Sequence, residues 1–399
     1  MSRFIQLHVL TSYPASNLNR DDLGRPKTVR LPNGERLRIS SQSLKRAWRC
    51  SDAFQQALAG NLGTRTKEVG KYVYLALTNG ATFAQALRDQ NAAGERKNLA
   101  PGKAKDIARA IGGVFGAMQN DGKKGKGKNA KDETQESQSL PETEQSGASE
   151  SGEGKQDAWR PFKSEQLAHL SPAELEAVDA LVEQCRESGK VPEGDALNLL
   201  RKDAVAVDIA LFGRMLAANP ECNVEAAAQV AHAMTVHNAV VEDDFFTAVD
   251  DLNRTDSGAG HMGVAEFGAG LFYLYLCIDR ELLVENLGGN EELAGRALDA
   301  LTRAVCTVSP TGKQNSFASR AVASFCLAEK GDAQPRTLAE AFMRKLASGE
   351  DGDMLSAAIK ALEDKRTSFN RIMGEAPAHC SFSHEQGTLA EVAAFVSAR

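Results

Sequence analysis

Phe267-Gly268-Ala269-Gly270-Leu271-Phe272-Tyr273-Leu274-Tyr275-Leu276-Cys277-Ile278 is the stretch whose reading decides the fold. It is rich in aromatic and aliphatic residues and carries no charge, so it is predicted to be a strand. The other strong strand signal, Arg3–Tyr13, lies at the far end of the chain. There Phe4, Gln6, His8 and Leu10 alternate with Ile5, Leu7 and Val9. Between the two, residues 60–118 read as helices broken by glycines. Ser171-Pro172-Ala173-Glu174 opens a further helix with a capping box and a proline at its first position. Additional strands are expected at Glu35–Ile39, Ala204–Met215, Ala227–His237 and Phe317–Leu327. Helices are expected at Asn290–Val305, near Leu338–Ala347 and at Met354–Met373. Strands that return after a long helical insertion predict an α+β sheet domain split in sequence, with parts at 1–59 and 203–399 and the insertion at 60–202. Within the insertion, residues 119–157 collapse into Lys/Gly and then Glu/Ser/Gln/Thr, a composition predicted to be disordered or a long loop tip.

Outward from this frame, the segment Ile39-Ser40-Ser41-Gln42-Ser43-Leu44-Lys45-Arg46-Ala47-Trp48-Arg49 carries the chemistry. Ser41 or Ser43 can cap a helix start, where free backbone N–H groups and the positive dipole end favour an anion. Leu44, Ala47, Trp48, Ser51, Phe54 and Leu58 recur at helical steps and form the face to be buried. Gln42, Lys45, Arg46 and Arg49 share the other face. A cap beside a basic stripe is a pattern for gripping a phosphate backbone. Residues 1–50 hold ten lysines and arginines against three acids, a local excess of seven positive charges in a chain whose net charge is −6. That asymmetry points to a polyanion bound on one face or groove.

Composition bounds the rest. At 399 residues with 42% hydrophobic and 6% aromatic content, the chain can build one large or two ordinary domains. The first ten residues alternate like a strand and lack a signal peptide's apolar core, and no run of about 18 apolar residues exists to span a membrane. Seven scattered cysteines without paired short spacing fit reduced thiols, so a cytoplasmic location is expected.

Several stretches resemble the CasC family, the backbone subunit of the type I-E CRISPR Cascade complex. They are Phe4-Ile5 with His8-Val9-Leu10, Leu18-Asn19-Arg20-Asp21-Asp22, Arg38 through Ala47, and Val207 through Met215. Ala231-His232-Ala233, Phe246-Thr247-Ala248-Val249-Asp250-Asp251-Leu252 and Glu285-Asn286-Leu287-Gly288-Gly289 follow in order. The 119–157 tract is a departure from the shorter connection expected there. The resemblance implies a modified RNA-recognition-motif (ferredoxin-like) palm, helical fingers from the insertion, and a β-hairpin thumb at about 235–266. It implies copies of the chain stacked as a filament on one crRNA, kinking the guide and presenting it to target DNA, alongside other Cascade subunits. Carried onto this sequence, Ser40, Gln42, Lys45, Arg46 and Arg49 would hold the guide backbone, with Asn19 and Arg20 lining the groove. Arg214 and Met215 would lie beside the kink with Met262, and Phe246 and Thr247 would sit on the thumb. Sequence-blind backbone contacts suit a subunit that must accept any spacer.

No enzyme, metal site or cofactor is expected. The alternative is a RAMP-type ribonuclease cutting target RNA with a loop aspartate, Asp21 or Asp22. Turn formation or arginine pairing accounts for those carboxylates more cheaply. Asp243-Asp244 and Asp250-Asp251 are adjacent in sequence, so on a strand they face opposite ways and cannot easily share an ion. Thr311-Gly312-Lys313-Gln314 lacks the rest of a phosphate-binding loop, and the histidines lack zinc-site spacing.

Overall fold

A computed structural model of the chain describes residues 2–119, 158–201, 206–249, 251–252, 261–344, 346 and 353–399. The expected loop tract, apart from Gln119, lies outside the described residues, as do 253–260 of the expected thumb. The strands are β1 (Phe4–Ser16), β2 (Thr28–Leu31), β3 (Gly34–Ile39), β4 (Thr64–Thr66), β5 (Ala168–Leu170), β6 (Ala228–Val230), β7 (Ala233–Thr235), β8 (Glu242–Ala248), β9 (His261–Asp279), β10 (Ala323–Gly331) and β11 (Ala378–Phe382). All but β4 and β5 join one nine-stranded sheet, ordered β11-β10-β1-β9-β7-β3-β2, with β6 and β8 pairing other stretches of β9. Every pairing is antiparallel. The mixed α+β architecture follows the sequence reading. β1 lies between β10 and β9, with Phe4 opposite Gly331 on one side and Asp279 on the other.

The helices are α1 (Ser41–Arg49), α2 (Asp52–Ala57), α3 (Val69–Asn79), α4 (Phe83–Arg88), α5 (Pro101–Gly113), α6 (Pro172–Ser188), α7 (Val207–Phe212), α8 (Arg280–Asn286), α9 (Glu291–Thr307), α10 (Gln314–Phe317), α11 (Met354–Met373) and α12 (Leu389–Ser397). Helices cover both faces of the sheet. Ile5, Leu7 and Val9 of β1 pack with Leu44 and Trp48 of α1, Phe54 of α2, Leu298 and Leu301 of α9, and Val392 of α12. On the opposite face, Leu10, Tyr273, Phe325 and Leu327 meet Leu338, Phe342 and the α11 residues Ala358 and Leu362. Alternation along β1 therefore separates two buried faces rather than a wet one from a dry one. A third core, with Val73, Leu77, Ile107, Ile111, Phe162, Val178 and Val182, holds α3 through α6 together.

The second sheet face also carries a buried charge cluster. Glu329 on β10 accepts from Arg366 Nε at 2.8 Å and Arg336 Nη2 at 3.2 Å, and lies 3.4 Å from His8 Nε2. Burial alone would raise the Glu329 carboxyl, but the neighbouring His8 ring and the Arg366 and Arg336 guanidinium groups hold it down at about 2. Burial keeps His8 below its ordinary value.

Five expected elements differ. The helix expected to carry Leu44 through Leu58 breaks at Cys50–Ser51 into α1 and α2, because the Ser51 hydroxyl caps a new start by accepting from Phe54 N. Among its described residues, Ala204–Met215 contains the short helix α7 and no strand. Its apolar run is too short for periodicity to choose, and Val207 through Leu211 are all buried. Ala227–His237 is broken into β6 and β7. The strand expected at Phe317–Leu327 starts only at Ala323, after the single turn of α10. Among the described residues around Leu338–Ala347, the chain makes one 3-10 turn at Ala339–Phe342. Among the described residues, no helix is long and apolar enough to cross a membrane.

Candidate nucleic-acid interface

The start of α1 is built from two side chains. Ser40, not Ser41 or Ser43, is the cap: its hydroxyl accepts from Ser43 N at 3.4 Å. Asn19, in the β1–β2 loop, accepts from Ser40 N through Oδ1 at 2.9 Å, which pins that loop to the helix start. The first-turn amides of Ser41 and Gln42 then point beyond the helix without an intrahelical acceptor. No acidic residue occupies this turn, while Arg46 and Arg49 lie in the last. Gln42 and Arg46 are exposed, and Lys45 and Arg49 are half-buried. Lys45 holds its ammonium 5.6 Å above the Phe212 ring, and burial lowers its pKa. Leu44 and Trp48 turn inward, so the stripe keeps its face because the opposite face is anchored in the core.

The β1–β2 loop is ordered by its own contacts. Asp21 Oδ1 accepts from the backbone N–H of Leu23 and of Arg25, both at 2.9 Å. That is a turn-forming role for Asp21, as its position after Arg20 allowed. Arg20 pairs with Pro26 across the loop. Arg25 Nε reaches Glu266 at 3.0 Å, and Asn17 Nδ2 donates to the Glu266 carbonyl at 2.8 Å. The loop is thus tied to the base of the β8–β9 hairpin. Arg38 Nη1 lies 2.8 Å from His232 Nδ1, and burial, then Arg38 and Lys27, lower the His232 pKa. This cluster adds positive charge beside the loop.

Behind Arg49 sits Asp208, a buried carboxylate on α7. Its Oδ2 takes Arg49 Nη1 at 3.3 Å and His169 Nε2 at 2.9 Å, and its Oδ1 takes the Gly63 amide at 2.8 Å. Burial pushes the carboxyl up, but the bonds from His169 and Gly63 and the Arg49 charge outweigh it, so Asp208 stays below its ordinary value. A Cβ on Gly63 would lie 2.8 Å from His169 Nε2 and 2.8 Å from the Leu170 carbonyl oxygen, so the close approach requires glycine. Nothing local in the sequence marked Asp208 or His169. They are connected only by the fold.

Arg214 belongs elsewhere. Its Nη1 donates to both Glu174 oxygens, at 2.9 and 2.8 Å, and to the His169 carbonyl. Its Nη2 donates to the Arg201 and Cys222 carbonyls. The side chains of Arg214 and Glu174 are 2% and 0% exposed. The guanidinium is consumed by a buried ion pair that fixes the helical insertion to the returning chain, and it has no donor left for an outside phosphate. Its neighbour Met215 is exposed.

The hairpin pairs Phe246 with Gly263, Thr247 with Met262 and Ala248 with His261. Cross-strand partners share a face, so Phe246, Gly263 and His261 lie on one side and Thr247 and Met262 on the other. The structure therefore separates Phe246 from Met262. The Phe246 ring lies across Gly263, where a Cβ would come within 2.6 Å of it, and stands 5.9 Å from the His261 ring. Phe245, Phe246, Met262 and Val264 are all exposed. Beyond the exposed carboxylates Glu242, Asp243 and Asp244, the hairpin shows apolar side chains to water on both faces, the kind of surface that marks a partner site. Among the described residues, no group of three His, Cys, Asp or Glu could hold a metal ion.

No curated protein matches the chain. Over 99% of both chains it is 28% identical, with a TM-score of 0.72, to a solved structure described as a CRISPR RNA-guided surveillance complex, pre-nicking. A second, described as a CRISPR RNA-guided surveillance complex, is 24% identical with a TM-score of 0.53, covering 98% of this chain and 92% of the other, and speaks for the fold alone. The model of the CT1975-like protein family (Cas_CT1975) matches residues 5–397. The chain belongs to that family.

Proposed function

We propose that this protein is a non-catalytic guide-RNA-binding backbone subunit of a type I-E CRISPR surveillance complex in the cytoplasm. Copies polymerise along one crRNA, kink it and present it to target DNA, together with other Cascade subunits. The observation that carries this reading is the anion-ready start of α1 continued by Gln42, Lys45, Arg46 and Arg49, with Asn19 joining the Arg20 loop to it. Likeness along the whole chain to a structure described as an RNA-guided surveillance complex supports RNA as the anion for that surface. The order β10-β1-β9-β7, with α1 and α2 after β1 and α9 between β9 and β10, supports a ferredoxin-like palm. The separately cored helices α3 through α6 suit the fingers, and the exposed β8–β9 ribbon suits the thumb. Ser40 acts by shaping the helix start. Met215, Thr247, Phe246 and Met262 offer apolar or small surfaces for bases. Arg214 is left out because Glu174 occupies it.

The test is the salt dependence of single-stranded RNA binding by Lys45→Ala/Arg46→Ala. Each lost phosphate contact should lower the magnitude of the log–log slope by about 0.7, whatever the RNA sequence. An unchanged slope would remove the RNA from this face. The ribonuclease alternative is disfavoured by the engagement of Asp21 in its own turn. Regular cleavage of labelled complementary RNA by the assembled complex with a divalent metal would revive it.

A further inference from the structure

We propose that Arg65, on the β4–β5 ribbon of the helical insertion, joins Arg46 and Arg49 in a single phosphate clamp that spans the sheet domain and the insertion. The proposal rests on the guide-binding reading of α1 and adds a residue and a second structural unit to it. β4 and β5 pair with Arg65 directly opposite His169. His169 is bonded to Asp208 at 2.9 Å, and Asp208 holds Arg49 at 3.3 Å. One buried carboxylate therefore fastens the ribbon to the last turn of α1. The Gly63 amide, two residues before Arg65, bonds to the same carboxylate at 2.8 Å. This linkage seats Arg65 next to α1: desolvation, then the charges of Arg49 and Arg46, lower the proton affinity of its guanidinium.

Gathering three guanidinium groups costs free energy unless an anion meets them. The carboxylate at hand is turned inward, shared by Arg49, His169 and the Gly63 amide. Among the described residues, no acidic side chain pairs with Arg46 or Arg65, and both are exposed. The surplus charge is held together by backbone and by a buried hub, so it does not disperse when the site is empty. Guanidinium forks recognise the paired oxygens of a phosphodiester, and arginines from two sides fit a strand running along the junction. Asp208 is a positioning residue in this arrangement: it aims Arg49 and the ribbon without touching RNA.

Arg65→Gln, Arg46→Gln and the double variant test this with a labelled single-stranded RNA of mixed sequence across a salt titration. Each single change should lower the log–log slope by about 0.7, the double change by about twice that, and Arg65→Lys should keep the wild-type slope because it keeps the charge. Thermal stability should not fall in Arg65→Gln, since the side chain is exposed and makes no ion pair among the described residues. If Arg46→Gln lowers the slope and Arg65→Gln leaves it unchanged, the clamp is refuted and the guide-binding face stands. If neither changes it, the guide-binding reading itself fails.

Discussion

Arg214→Met separates a structural arginine from a nucleic-acid contact. The substitution leaves the Glu174 carboxylate buried at 0% exposure with its main partner gone. Glu174 keeps the amides of Ser171 at 2.8 Å and Arg201 at 2.9 Å, so the capping box survives while the charge is uncompensated. The carbonyls of His169, Arg201 and Cys222 lose their donors as well. Breaking one side of a buried pair costs about 3–5 kcal/mol. At about 2–4 °C per kcal/mol for a unit of this size, the melting temperature should fall by roughly 6–20 °C. Differential scanning calorimetry reads this directly. Glu174→Gln added to Arg214→Met should recover part of the loss, because no unpaired charge remains. The salt slope of RNA binding, measured well below the melting point, should not move. A variant that melts like the wild type but loses about 0.7 from the slope would put Arg214 on a phosphate and refute the reasoning.

Three further outcomes are expected. Trp48→Ala empties a fully buried site between α1 and the sheet and should cost about 3–5 kcal/mol in urea unfolding; a loss under about 1 kcal/mol would mean that α1 is not anchored as described. Stability should fall on acidification: burial lowers the proton affinity of His8 in the fold, so the unfolded chain takes up a proton more readily below about pH 6.5, and Glu329, held at about 2, loses its contribution as pH drops from about 4.3 toward 2. A urea midpoint flat from pH 7 to 3 would contradict both. On the hairpin, Phe246→Ala and Met262→Ala should each spare guide retention and weaken target-DNA binding, and because they sit on opposite faces their effects should add. Stacking on a base is worth roughly 1–3 kcal/mol per aromatic. Unchanged DNA affinity in the double variant would show that neither face works as a wedge.

Much of the fold was legible because its signals are local. The alternation in Arg3–Tyr13, the uncharged run before Ile278 and the Ser171–Glu174 capping box each report on their own neighbourhood, and all three elements form. The basic stripe was legible for the same reason, since helical spacing alone puts Gln42, Lys45 and Arg46 opposite Leu44 and Trp48. What failed depended on distant partners. Arg65 and Arg214 are chemically alike in sequence; one is exposed and the other buried because Glu174 stands 40 residues before Arg214 and meets it only in the fold. Ala204–Met215 reads as a strand in sequence yet holds α7, because a short apolar run buried on all sides has no period to read. Phe246 and Thr247, adjacent on β8, take opposite faces of the hairpin, and which residues of β9 share those faces depends on register, which residue type alone does not announce.

The most direct measurement is the nucleic acid that travels with the protein when it is purified with its partner subunits co-expressed. Phenol extraction and denaturing electrophoresis should yield RNA of one uniform short length, sensitive to ribonuclease and lost at high salt from Lys45→Ala/Arg46→Ala complexes. Preparations free of nucleic acid, or carrying only RNA of mixed lengths, would contradict the assignment of this chain as a guide-RNA backbone subunit.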